Sequence, residues 1–414
     1  MVIQRWTVSC GTCKTNHTLR ISLGTDRYQE HTFPCVNCGE DMSVRLDIDF
    51  DDWRRFDNLP GFKAPKTKFS TVSNCEVCQT EGTVINLDPN FLIAEKFLHN
   101  EYYFSSIHHA DRLGAFERIE KTKDYFSGKQ IVDIFSLVGG FRNLREKLNF
   151  LIKAWSLHNR GKENLALEYL DKLAEDLFDK SYPLHESILM FSALFIGEER
   201  SEEMKTILNE IKEAKSKNSL QYYNLRSYYL KEHVEDCLER HLESFNDYLK
   251  NYDDLLQLYL YAKQKQKISE DISLSSKKFR NLKMFYGNIY EHITSSLFIL
   301  AAINNILSGR NFDIFEEMDL KKYMTINKAN RANPFKDRHS FDPVVQCLDS
   351  TLRNASHHGA MKLQLNSNII QYRSGGTGAL NTISYTEYLQ KCNEMMFSSC
   401  MLLIVELMII KNLI

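Results

Sequence analysis

Proline does most to narrow what this chain can fold into. Of its seven prolines, four (Pro34, Pro60, Pro65 and Pro89) lie in the first 90 residues, and between 90 and 330 only Pro183 interrupts the sequence. Proline inside a helix removes a hydrogen bond and clashes with the preceding turn. Its near-absence over so long a stretch, with glycine also scarce, predicts a long helical body and argues against an all-β fold. The 414 residues suffice for two or three domains. At 43% hydrophobic and 26% charged residues, the composition is that of a globular chain, not a disordered one. Basic and acidic residues nearly balance (52 against 54, net −2), so any nucleic-acid binding has to come from a local patch and not from a global field.

The sequence divides into sections of different pattern. Residues 1–60 are polar and rich in β-formers: RWTVSC, HTLRISL and SVRLDIDF alternate as short strands do. Residues 61–90 read as a linker carrying its own small cysteine hairpin. From 91 to 270 the pattern is helical, a scaffold in which LREKLNFLIKAWSLHNRG stops at Gly161. The next helix sets Leu165, Tyr169, Leu173 and Leu177 on one face at steps of four. The helix spacing loosely resembles tetratricopeptide hairpins, but no fixed period recurs. The charge run from Glu198 to Lys217 reads as solvated helix faces. From 271 to 414 come a long apolar helix closed by Gly309, a basic stretch over 321–340, the string LRNASHHG, short strands at KLQLN, IIQYR and NTISYT, and a final helix with Thr386 as its N-cap. SGGTG (374–378) is the turn between the last two strands.

The N-terminus, MVIQRWTVSC, lacks the basic and apolar regions of a signal peptide, so a reducing cytoplasm is the expected compartment. The apolar tail is broken by Glu406 after a short run, so stable membrane insertion is not expected. A helix buried in the core or at a dimer interface is. Six of the ten cysteines form C-x-x-C pairs. Cys10–Cys13 and Cys35–Cys38 frame a strand, a turn at Gly24-Thr25-Asp26 and a returning strand. Two such turns present four thiolates to one tetrahedral Zn²⁺, a closed structural site with no position left for a reacting water. Cys75–Cys78 stands apart. A second metal with His99, His108 or His109, a metal shared across a dimer, a redox pair and a degraded ribbon all remain open for it.

Residues Leu352-Arg353-Asn354-Ala355-Ser356-His357-His358-Gly359 carry the most chemistry. Histidine near neutral pKa exchanges protons with a ribose 2′-OH or a leaving oxygen, and arginine offsets charge on phosphoryl oxygens; neither needs a divalent metal. Spacing alone is weak evidence, since Arg226 and His233 repeat it within a charged helix; Asn directly after Arg makes the string specific.

That string resembles the HEPN superfamily of helical ribonucleases, common among toxins and abortive-infection (anti-phage) proteins. The resemblance spans about residues 275–414. It implies a helical bundle with a β-hairpin insert, a homodimer whose active site forms at the interface, and RNA as substrate. Arg353, Asn354 and His358 take the motif's roles, with no catalytic metal. Ideal helix geometry favours His357, four residues on from Arg353, whereas the family pattern favours His358, which is adopted here. The expected fold class is therefore mainly α: an N-terminal β zinc ribbon, a helical scaffold and a C-terminal HEPN-like bundle. The expected function is a metal-independent endoribonuclease in defence or toxicity, with a phage-derived trigger or an antitoxin as possible partner. The competing expectation is a non-catalytic zinc-ribbon adaptor that binds nucleic acid or protein and dimerises through its helical part.

Overall fold

A computed structural model describes residues 3–49, 65–105, 108–109, 144–177, 181–266, 268, 279–357, 359–364 and 368–413. It is mainly helical, with a β unit at the N-terminus. Strands β1 (Ile3–Cys10) and β2 (Asn16–Ser22) are antiparallel; β3 (Tyr28–Pro34) and β4 (Asp41–Asp49) form a second antiparallel pair. In β3 and β4, buried and half-exposed residues alternate, as the period of a strand with one face on a core requires. The turn at 24–26 does not make a simple ribbon hairpin, because β2 and β3 belong to different sheets.

The stretch expected as linker completes both sheets. β5 (Lys66–Ser73) pairs with β4, β6 (Cys75–Val77) with β1, and β7 (Thr83–Leu87) lies parallel to β2. The sheets are therefore ordered β6-β1-β2-β7 and β3-β4-β5, and the unit extends well past residue 60. Both contribute to one core of Val8, Leu19, Ile21, Phe33, Val44, Leu46 and Ile85. Gly82 admits the crossing chain: a Cβ there would lie 1.8 Å from the Asn16 carbonyl oxygen.

The helical body comprises α1 (Leu144–Asn159), α2 (Glu163–Leu177), α3 (Leu184–Ile196), α4 (Ser201–Lys217), α5 (Ser219–Glu232), α6 (Val234–Lys250), α7 (Tyr252–Lys263), α8 (Phe279–Ser296), α9 (Phe298–Leu307), α10 (Ser350–His357) and α11 (Tyr385–Lys411). Gly161 and Gly309 stop α1 and α9 as expected. Both have positive φ (68° and 78°), and the following amide bonds back five residues, Lys162 N to Leu157 O at 2.9 Å and Arg310 N to Asn305 O at 2.9 Å. On α2 the buried face is Ala166, Leu170, Leu173 and Ala174, not the expected row; Leu165 is 46% exposed, and the Leu177 side chain lies outside the described residues. Steps of four drift around a helix, so a row of leucines at that spacing leaves the contact face. β8 (Met361–Gln364), β9 (Ile369–Arg373) and β10 (Leu380–Ser384) form the expected small sheet, with 374–378 turning between the last two.

Sections 91–270 and 271–414 do not have separate cores. One hydrophobic cluster runs from Phe91 to Ile410, and α11 packs against α3, α6, α7 and α8. Ser384, not Thr386, caps α11, accepting from Glu387 N at 3.1 Å. The helix is long and apolar enough to cross a bilayer, yet 89% of its apolar window is buried inside the chain. Its polar groups match its neighbours: Asn393 accepts from Tyr248 and donates to Leu255 O, Glu406 accepts from Tyr229 at 2.8 Å, and Arg226 donates to the last carbonyls, Ile409 O and Ile410 O.

Candidate functional site

The pairs Cys10–Cys13 and Cys35–Cys38 each sit at a strand end and fold the same way. Lys14 N donates to Cys10 O and Gly39 N to Cys35 O, both at 2.9 Å, while Cys10 N and Cys35 N donate to Thr15 O and Glu40 O. Each turn ends on a positive φ, at Lys14 (61°) and Gly39 (72°). The turns bring four sulfurs together within 4.8 Å of one another, with Cys10–Cys38 at 3.8 Å and Cys13–Cys35 at 3.5 Å. Tetrahedral Zn²⁺ with Zn–S of about 2.3 Å requires S–S edges of about 3.8 Å, so the donor set fits this ion. Hydrogen bonds with Thr15 favour the thiolate at Cys13. At Cys38 the Glu40 amide does the same, but burial and the other three thiols outweigh it and push the thiol up, as four sulfurs sharing protons must do.

Asn74 braces the first turn. Its carbonyl accepts from Gly11 N at 2.9 Å, its side chain accepts from Thr12 and donates to Asp41 O, and a Cβ on Gly11 would lie 2.7 Å from Asn74 Oδ1. Sequence reasoning passed over this residue because it stands in the supposed linker. Among the described residues, the Cys75–Cys78 pair collects no further ligands. Cys75 points to Ser43 O and Cys78 to Thr80 O, while His99 bonds Val84 O and His109 bonds Leu92 O and Tyr261. Among the described residues, the four-cysteine group alone brings three or more such ligands together.

The second candidate lies on α10. Asp349 caps this helix, accepting from Thr351 N and Leu352 N at 2.9 and 3.1 Å, and Gly359 (φ 68°) turns the chain just past its end. Leu352 and Ala355 bury the inner face, leaving Arg353 and Asn354 partly exposed and His357 exposed. The Arg353 guanidinium donates to Asn354 Oδ1 at 2.7 Å, lies over the Tyr290 ring at 5.9 Å and pairs with Glu291 of α8. Burial works to raise the Glu291 carboxyl, but Lys328 and Arg353 outweigh it and hold the group below its usual range. One turn on, the His357 ring rests on Gly287, where a Cβ would stand 2.6 Å from Nε2. Arg353 and His357 thus share one side of α10, against α8. His358 lies outside the described residues.

The structure also contains features the sequence left unread. Arg145 lies between the rings of Tyr28 (4.4 Å) and Tyr252 (4.6 Å) and pairs with Asp253, joining the β unit to the helical body. No short motif announces such a contact, whose partners come from three separate parts of the chain. No protein-family model, curated protein or solved structure matches this chain.

Proposed function

We propose that this chain is a metal-independent endoribonuclease of HEPN type, acting in the cytoplasm in anti-phage defence or as a toxin, with Arg353, Asn354 and His358 as its working residues. The observation that carries this reading is a capped eight-residue helix that holds Arg353 beside Asn354, both partly open to solvent, and ends at exposed His357, the residue before His358. Arg353 neutralises charge on the scissile phosphate, Asn354 orients the guanidinium, and a histidine moves the proton of the ribose 2′-OH. The expected assembly is a homodimer, with a phage-derived trigger or an antitoxin controlling it. The four cysteines hold a structural zinc; a closed set of four thiolates leaves no position for a reacting water.

One contact favours the adaptor reading instead. Glu291 already holds the Arg353 guanidinium, so a phosphate must displace a carboxylate to reach it. In that reading Arg353 is a structural link between α8 and α10, and the β unit does the binding.

The two readings separate on purified protein and labelled RNA in EDTA. The ribonuclease leaves 2′,3′-cyclic phosphate and 5′-hydroxyl ends. His358→Ala then loses about 10²–10⁴-fold in rate, the value of a positioned proton carrier. Arg353→Ala loses a comparable amount, since a charge-stabilising donor is worth about 3–4 kcal/mol. His357→Ala is milder. Cleavage that vanishes in EDTA and survives both the Arg353 and His358 substitutions leaves the adaptor reading.

A further inference from the structure

The chain from α10 into β8 runs antiparallel over α8 in a regular register. Arg353 sits on Glu291, His357 on Gly287, and Met361 O accepts from Lys283 Nζ at 3.5 Å. Each step of four on one segment matches a step of four on the other, so cationic and proton-carrying groups fall in a line. Past Arg353 the line continues. Lys328 pairs with the Glu291 carboxylate and donates to its carbonyl oxygen at 3.3 Å, and buried Arg331, donating to Thr294 O at 3.1 Å, fastens that loop to α8. Tyr323 donates to Arg331 O at 2.7 Å, which ties in the one-turn helix Leu320–Tyr323 and its two lysines, Lys321 and Lys322.

Lys283, His357, Arg353 and Lys328 therefore form a row along α8. From Lys283 to Glu291 the helix rises about 12 Å. Three cations, Lys283, Arg353 and Lys328, face two carboxylates, Glu291 and Asp349, the latter one turn before Arg353 and close enough to act on Tyr286 and Tyr290. The sum is a net +1 with histidine counted neutral, on a chain whose net charge is −2. Such a local excess is what an otherwise neutral protein needs to hold a polyanion.

We propose that this row is a track for the phosphate backbone of single-stranded RNA, with Lys283 and Lys328 holding the phosphates on either side of the one that Arg353 faces. The proposal rests on the ribonuclease reading for its central phosphate and adds the substrate class and two binding residues. A single strand is required because attack of a 2′-OH on its own phosphate needs an in-line backbone, which a stacked A-form duplex does not offer. The lysines bind and position; they do not take part in proton transfer.

The test uses the full chain and a 2′-O-methyl RNA of about 12 nucleotides, within the range a single-strand groove covers. This probe cannot be cleaved through its 2′ oxygen. Binding is followed by fluorescence anisotropy in EDTA over a salt series. Lys283→Gln and Lys328→Gln should each weaken binding several-fold and reduce the slope of log K against log salt by about 0.7, the share of one phosphate contact on a single strand. Lys283→Arg and Lys328→Arg should restore both. Since Lys328 also supports Glu291, Lys283→Gln decides the matter if Lys328→Gln lowers the melting temperature. Unchanged affinity and slope in Lys283→Gln overturn the track, as does equal binding of a duplex of the same length. RNA binding with the predicted slopes but no cleavage of unmodified RNA keeps the track and ends the ribonuclease reading. Cleavage with lysine variants that bind like wild type does the reverse.

Discussion

At the scale of single residues, the apolar interior is pinned by a few buried charged and polar groups. Glu406 is fully buried on α11, accepts from Tyr229 and lies 3.4 Å from His241 Nε2. Glu406→Ala leaves the buried Tyr229 hydroxyl without its acceptor and opens a cavity, so it should cost about 2–4 kcal/mol in urea unfolding. Glu406→Gln keeps an acceptor for Tyr229 and should cost less. His292 of α8 makes stability depend on pH. Its Nδ1 meets Ser244 Oγ at 2.9 Å, and burial, then His241 and Arg240, push it down to about 4; Lys328 adds to this, Asp247 opposes it, and Glu243, 60% exposed, is too well hydrated to reverse it. The unfolded side chain titrates near 6.5, so its contribution is full above that pH and is lost as pH falls toward 4. At most it amounts to about 3 kcal/mol. His292→Gln should flatten the stability profile of the helical transition between pH 7 and 4.5. Neither group was legible beforehand. Glu406 was visible only as a break in an apolar run, and Arg200, within a charge run read as solvated, is buried on Glu394 and Ala262 O. Which charges go inside depends on partners far away in sequence.

Among elements, legibility follows how local the cause is. Glycine stops, the two knuckles and the alternation of β4 act within a few residues, and each was readable. The roles of β5, β6 and β7 were not, because their partners are β4, β1 and β2, reached only after the sheets close. The candidate helix shows the same division. The string holding Arg353, Asn354 and both histidines was legible, with His358 adopted over His357, whereas Glu291, Gly287 and Lys328, which surround Arg353 and His357, come from elements with no motif of their own. The knuckles yield a prediction at this scale. The purified chain should carry one zinc, and Cys35→Ser should lose it. Because the β unit has a core of its own, that variant should lose the β signal in circular dichroism and expose the unit to protease, while the helical transition persists. A β unit that resists protease without zinc would show that its core suffices alone.

For the whole molecule, the single helical core decides which pieces can fold. The sequence pattern placed a boundary at 270, between a helical scaffold and a C-terminal bundle. The final helix contradicts that division. Of its 27 residues 21 are buried, and the surfaces covering them come largely from α3, α6 and α7, which precede the boundary. Tyr229, His241, Tyr248 and Leu255 O, which meet Glu406, Ser399 and Asn393, precede it too. A fragment of residues 271–414 would expose a long apolar face with Glu406, Ser399 and Asn393 unsatisfied, a loss set against the roughly 5–15 kcal/mol that holds a whole domain folded. It should be insoluble, or bind hydrophobic dye without a cooperative melt. Residues 144–414, which keep the helical core, should unfold in one transition. A soluble 271–414 fragment with a cooperative melt would restore the separate domain, and with it the case for an active site independent of the preceding helices.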